Sequence, residues 1–239
     1  MPELPELEVV REVLQRRVVG QTITSVEVIP PGGVIVVRDL TQAGFAAALT
    51  GATIAAAARR GKYLVFTLRA AMNPLFLVLN PKLSGRLQLT GPADKRTAKT
   101  WAIFKLSGGG HLRYLDQKQM GQLYLTQSLD LIPDYVAMGP EALEISLDDF
   151  RRRLAPYRGE IKGVLTRGEF VAGIGNAYAD EILWAARLHP YRKRTQLTQA
   201  EIERLYQAMR STLLESIDKV RQEMQEHIGS SRAILWLFI

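Results

Sequence analysis

The first six residues, Met1-Pro2-Glu3-Leu4-Pro5-Glu6, place a proline nitrogen and two carboxylates at the start of a predicted helix. With Met1 removed, Pro2 carries a free secondary amine, and α-amino groups titrate near ~8 rather than the ~10.4 of a lysine side chain. A useful fraction is then an unprotonated nucleophile at neutral pH. Its attack on an aldehyde-like carbon gives an iminium ion, the Schiff-base form of covalent catalysis. Glu3 and Glu6 are three apart and are expected to share a helix face, one handling protons while the other shapes the field. Proline and glutamate are also ordinary stabilisers of a helix N-terminus, so this stretch alone leaves catalysis and capping both open.

A nucleophile at a chain terminus works only if the terminus is held. Leu7, Val10 and Leu14 recur at helical spacing and Gly20 follows where a left-handed cap belongs, which predicts an amphipathic helix docked on a core. From Ile23 to about Leu125 the pattern changes to short segments rich in valine, leucine and aromatics. Clear cases are Ile23 to Ile29, Tyr63 to Leu68, Leu75 to Leu79, Trp101 to Leu106 and Leu112 to Leu115, with Phe45 to Leu49 as a short helix. Separated by Gly, Pro and Asn turns, they predict an antiparallel β-sandwich. Arg59-Arg60-Gly61-Lys62 stands just before one strand, where a turn can carry a cation into a cleft or simply be solvated.

The strand pattern stops within Asp130 to Pro140, where a linker is expected. Ser146 with Asp149, and Thr198 with Glu201, are capping-box pairs, the second flanked by Leu197 and Ile202 as a hydrophobic staple. Ile202, Leu205, Met209 and Leu213 continue an apolar helical face, and Glu215 to Ile228 also reads as helix. Between them, Ile161 to Thr166 and the glycine-punctuated Val171 to Leu183 read as helix, tight turns, helix. Asn176 opens the second helix, where free amides could bind phosphate. The expected architecture is α+β with two domains: a β-sandwich at 1–132 led by the first helix, a linker at 133–145, and a helical domain at 146–229.

The chain has 239 residues, net charge +7 and a pI near 9.7, which favours a polyanionic partner. It contains no cysteine, which excludes disulfides, a catalytic thiol and a cysteine zinc site within it. His111, His189 and His227 show no metal-ligand spacing, and no cofactor is expected. No signal-like N-terminus or membrane-length apolar run is present, so a cytoplasmic protein is expected, nucleoid-associated if its polyanionic partner is DNA; no oligomerisation surface is evident, and a monomer is expected.

Pro2-Glu3-Leu4-Pro5-Glu6, Arg59-Arg60-Gly61-Lys62-Tyr63-Leu64 and Val171-Ala172-Gly173-Ile174-Gly175-Asn176-Ala177-Tyr178-Ala179-Asp180-Glu181-Ile182-Leu183 occur in an order that resembles the formamidopyrimidine-DNA glycosylase and endonuclease VIII family. The resemblance runs from residue 2 to about residue 225. It implies a β-sandwich followed by a helix-two-turn-helix domain. It also implies a bifunctional DNA glycosylase and abasic-site lyase acting on oxidised bases in damaged double-stranded DNA. Pro2 is then the nucleophile, Glu3 and Glu6 its acidic neighbours, and Lys62 a lesion or phosphate contact. Asn176 grips a backbone phosphate, with Arg60 and Tyr178 in the same motifs as further DNA contacts.

Two loops depart from the family. Asn80-Pro81-Lys82-Leu83 stands where members usually carry His first and Met fourth, and Asp116-Gln117-Lys118-Gln119-Met120-Gly121 where they read Asp-Pro-Arg-Arg-Phe-Gly. Members fill the gap left by an extruded base with a Met, an Arg and a Phe; this chain would offer Leu83, Lys118 and Met120. Apolar side chains can still wedge a base step, but lysine does not reproduce the planar multi-donor contact of arginine. Discrimination of the opposite base is expected to suffer. Most members also end in a four-cysteine zinc finger, and zinc-free members in a hairpin. Residues 230–239 form only a short apolar tail, read as an atypical or truncated end.

Overall fold

Residues 1–71 and 74–228 are described by a computed structural model. The tail at 230–239, and residue 229 of the expected helical domain, lie outside the described residues.

Helix α1 (Leu4–Arg17) follows Pro2 and Glu3 directly, and Pro5 in its first turn has no N–H to leave unpaired. Its buried surface is wider than an amphipathic stripe: Leu4, Leu7 and Leu14 are joined by Val9, Val10 and Val13. The helix has two partners, strands β3 (Thr53–Arg60) and β4 (Tyr63–Arg69) on one side and helix α7 (Gln199–Ile228) on the other. Each fully buried leucine contributes about 1.5–3 kcal/mol, so the terminus is firmly anchored. Gly20 has the left-handed φ of 86°, just beyond the Val18 cap.

The N-terminal part is built on two sheets. One runs β1 (Ile23–Val28), β7 (Thr100–Leu106), β8 (His111–Asp116), β6 (Gly85–Thr90); the other runs β2 (Val37–Asp39), β9 (Gln122–Thr126), β5 (Leu75–Asn80), β4, β3. All ladders are antiparallel except β2 with β9, which is parallel. Short helices α2 (Gly32–Val36) and α3 (Phe45–Leu49) lie between β1 and β3. The inward alternation Leu64, Phe66, Leu68 of β4 joins Phe104 and Leu112 of the facing sheet in one core. Tyr63 and Val65, the opposite set, pack with Val78, Tyr124 and Ile132, and Tyr135 and Met138 cover them. Part of the segment expected as a linker touches this cluster: Tyr63 Oη donates to the Pro133 carbonyl at 3.0 Å, while Asp134, Val136 and Ala137 are exposed.

The C-terminal part contains α4 (Leu147–Leu154), α5 (Ile161–Leu165), α6 (Asn176–Ala185) and α7. Ser146 Oγ accepts the Asp149 N–H at 3.1 Å, and Thr198 and Glu201 exchange caps at 2.8 and 3.3 Å. Arg221 of α7 reaches back to Glu12 of α1 with a two-pronged pair at 2.8 and 3.1 Å, tying the two parts together.

Candidate active site and DNA-binding face

Pro2 is buried at the wall of a cavity of about 500 Å³ that Lys62, Tyr63, Asn80, Lys82 and Gly173 also line. Glu3 and Glu6 beside it do not share a helix face. Glu3 is the N-cap and lies outside the helix, while Glu6 in the first turn accepts the Glu3 N–H at 2.8 Å. The other Glu6 oxygen accepts the Tyr178 hydroxyl at 2.5 Å, and burial together with this bond pushes the Tyr178 phenol far above its usual range. Both carboxylates are almost fully enclosed, Glu3 at 1 % and Glu6 at 4 % exposure.

Glu3 is held from the other end of the chain. Its carboxylate accepts the Gly175 N–H at 2.5 Å and the Ala177 N–H at 3.1 Å, closing the N-terminus of α6. The Gly175 and Ala177 amides, expected to be free for phosphate, are therefore occupied by the Glu3 carboxylate at the N-cap of α1, which meets the positive end of the α6 dipole. Asn176 between them remains exposed. Leu4 N–H donates to the Gly173 carbonyl at 3.1 Å, so backbone as well as side chains join the two motifs. Gly173 has φ 103°, and a Cβ there would lie 2.7 Å from Leu4 Cδ1; one at Gly175 would lie 2.3 Å from Glu3 Oε1 and 2.6 Å from Lys62 Nζ. These two glycines allow the close approach that places Lys62, Glu3 and α6 around one point.

Lys62 is delivered by the turn between β3 and β4, and that turn is clamped by Glu141. Glu141 accepts the Gly61 N–H at 2.7 Å, Arg60 Nη1 at 2.9 Å and Arg59 Nη1 at a still shorter distance. Arg59 Nε goes to Glu8 at 2.7 Å, and Arg60 Nη2 to the Met138 and Gly139 carbonyls at 3.0 and 2.6 Å. Arg60 thus binds the segment between the domains in this structure, and buried Tyr178 binds Glu6; neither presents those groups outward. Burial lowers the Lys62 ammonium below the lysine range and nearby Lys82 adds to this, against the opposing charge of Glu3.

The two loops that depart from the family are joined by Asp116. Its carboxylate accepts the Gly121 N–H at 2.8 Å, the Lys118 N–H at 3.1 Å, the Tyr114 hydroxyl at 3.2 Å and, at very short range, the Ser84 hydroxyl. Ser84 Oγ in turn accepts the Lys118 N–H at 2.9 Å. Leu83 is 43 % exposed, Met120 is 49 % exposed, and Lys118 is exposed. Core packing, the ordinary use of such apolar residues, does not apply to Leu83 or Met120.

Family models match both halves of the chain: the formamidopyrimidine-DNA glycosylase N-terminal domain over residues 1–123 and the formamidopyrimidine-DNA glycosylase H2TH domain over residues 136–227. The chain belongs to the formamidopyrimidine-DNA glycosylase family. It is 40% identical over 223 residues to the formamidopyrimidine-DNA glycosylase of Symbiobacterium thermophilum, covering 92% of this chain and 71% of that relative. It is 37% identical over 235 residues to that of Pelotomaculum thermopropionicum, covering 97% and 83%. Among solved structures it is similar to Lactococcus lactis Fpg in complex with DNA containing an abasic site, with TM-score 0.80, 32% identity, and coverage of 91% of this chain and 79% of that one. The two-domain α+β architecture of the sequence reading is that of this family.

The sequence contains no cysteine. Among the described residues no group of His, Asp and Glu is placed to hold a metal ion, and no helix is long and apolar enough to cross a membrane. Glu141, Asp116 and Lys82 were not singled out by sequence reasoning. Glu141 and Asp116 act on partners up to 82 residues away, and only the Gly-Pro before Glu141 and the Asp-to-Gly spacing of the later loop mark their turns.

Proposed function

We propose that this family member excises damaged bases from double-stranded DNA in base excision repair, as a glycosylase and abasic-site lyase that acts as a monomer. The observation that carries the reading is the cavity lined by Pro2 and Lys62, with Glu3 and Glu6 buried next to Pro2 and Glu3 locked to α6. With Met1 removed, the Pro2 amine attacks C1′ of the damaged nucleotide and the C1′–base bond breaks, the base leaving with a proton. The Glu3 carboxylate takes the proton of the alkylated Pro2 nitrogen and passes it to the ring oxygen as the sugar opens, giving the Pro2 iminium. The iminium acidifies the 2′ C–H; loss of that proton expels the 3′ phosphate, and a second elimination expels the 5′ phosphate. Glu6, fixed by Tyr178, orders the Pro2–Glu3 peptide. Lys62 and Asn176 hold phosphates on either side of the extruded nucleotide, while Leu83, Lys118 and Met120 stand at the vacated position.

The substrate class we propose is oxidised purines, 8-oxoguanine and formamidopyrimidine. Fpg of Lactococcus lactis has been solved with DNA containing N7-benzyl-Fapy-dG, at TM-score 0.80 and 32% identity. The exposed Leu83, Lys118 and Met120 favour a second reading, the same chemistry on oxidised pyrimidines or bare abasic sites. Single-turnover cleavage of matched duplexes carrying 8-oxoguanine, an oxidised pyrimidine or an abasic site separates the two. Faster release of the purine supports the first, and purine release no faster than background with rapid pyrimidine release supports the second.

A further inference from the structure

Asn80, Pro81 and Lys82 make a turn at the end of β5 that places a second ammonium group at the cavity holding Pro2 and Lys62. Lys82 has φ 48°, a left-handed backbone that a residue with a side chain occupies at a cost and that clusters where function requires it. Asn80 is buried, and its side-chain oxygen accepts the Lys82 N–H at 3.3 Å, the short-range bond by which asparagine stabilises such turns. Asparagine at 80, where the family usually carries histidine, thus comes together with the lysine two residues on.

The Lys82 ammonium lies within ion-pair distance of no carboxylate among the described residues. Lys62 lines the same cavity and is close enough to feel its charge, and the carboxylate that opposes this, that of Glu3, is already engaged by Gly175 and Ala177. Asp134, Arg167 and Glu169 line the same cavity, but neither carboxylate is within ion-pair distance of Lys62 or Lys82, and the two ammonium groups repel unless an anion lies between them. Building on the DNA-repair reading above, we propose that Lys82 and Lys62 together grip one backbone phosphate of bound DNA, with Asn80 as the positioning residue that aims Lys82. Lysine suits this as a point charge that needs no planar partner.

The test is equilibrium binding of a duplex carrying a tetrahydrofuran abasic analogue, titrated with salt. Lys82→Ala is expected to weaken binding by roughly tenfold and to flatten the plot of log affinity against log salt, while Lys82→Arg retains the slope. If both lysines share one phosphate, the Lys62→Ala/Lys82→Ala double variant loses about one phosphate's slope, ~0.9, rather than ~1.8. A neutral methylphosphonate, moved linkage by linkage around the analogue, abolishes the Lys82→Ala effect at one position. A Lys82→Ala slope and affinity equal to wild type, or a double-variant loss near ~1.8, overturns the inference while the protein still binds DNA. Wild type with no salt-dependent preference for the abasic duplex overturns the functional reading, and the phosphate subsite with it.

Discussion

Glu3 and Gly175 stand 172 residues apart and are joined by a 2.5 Å hydrogen bond from the Gly175 N–H to the Glu3 carboxylate. One interaction therefore fixes the proposed proton-transfer group, caps α6 and docks the first motif on the last. A carboxylate used in this way has a dual role, and its removal is expected to register in both stability and rate.

Glu3→Gln keeps the shape but turns one acceptor into an NH2 group facing a backbone N–H. The buried mismatch is expected to cost about 1–3 kcal/mol. That corresponds to a fall in melting temperature of about 2–4 °C per kcal/mol for a chain of this size, read by thermal unfolding. Cleavage of an abasic duplex is expected to fall far more, and a variant that matches wild type in both measurements contradicts the assignment.

Gly175→Ala separates geometry from chemistry because it removes no functional group. The added Cβ would sit 2.3 Å from Glu3 Oε1 and 2.6 Å from Lys62 Nζ, so both groups must move. Displacements approaching 1 Å at a reacting centre can cost about 10²-fold in rate. Single-turnover cleavage should fall by that order with the fold intact by circular dichroism, and unchanged cleavage would show that the crowding around Gly175 is not functional.

Lys62 gives a pH dependence with a definite sign. Burial, then Lys82, lower its pKa in the folded protein against the pull of Glu3. The ammonium is therefore lost at a lower pH than that of an exposed lysine, near ~10.4. Affinity for an abasic-analogue duplex should hold at neutral pH and weaken on the alkaline side before ordinary lysines titrate. Lys62→Arg stays charged throughout and should remove that early decline. Fluorescence anisotropy from pH 7 upward checks this; the same decline in both proteins assigns it to another group.

The sequence made some of this legible and hid the rest for physical reasons. Segments with β-branched and aromatic residues, such as Ile23 to Val28 and Thr100 to Leu106, showed themselves as strands because their period and composition agree. Strand β3 did not, since Thr53-Ile54-Ala55-Ala56-Ala57-Ala58 has helical propensity, and pairing with β4 overrides it. The residues Gly32-Gly33-Val34-Ile35-Val36 err the other way, forming helix α2 despite their β-branched run.

At the site, the motifs named residues that the fold brings together but not the contacts between them. Glu3 and Glu6 looked like a helix-face pair because local spacing is all a sequence offers; the Gly175 and Ala177 amides that engage Glu3 are 172 and 174 residues away. The clamp of Glu141 on Arg59, Arg60 and Gly61 is hidden in the same way, an acidic residue whose partners lie 80 to 82 residues earlier.

The most direct measurement incubates untagged protein, shown by intact mass to lack Met1, with a duplex containing one abasic site, then adds borohydride. A covalent protein–DNA adduct that maps to the N-terminal peptide and disappears in Pro2→Gly is the predicted result. No adduct, or an adduct undiminished in Pro2→Gly and carried on another peptide, would contradict the claim that the Pro2 amine is the nucleophile.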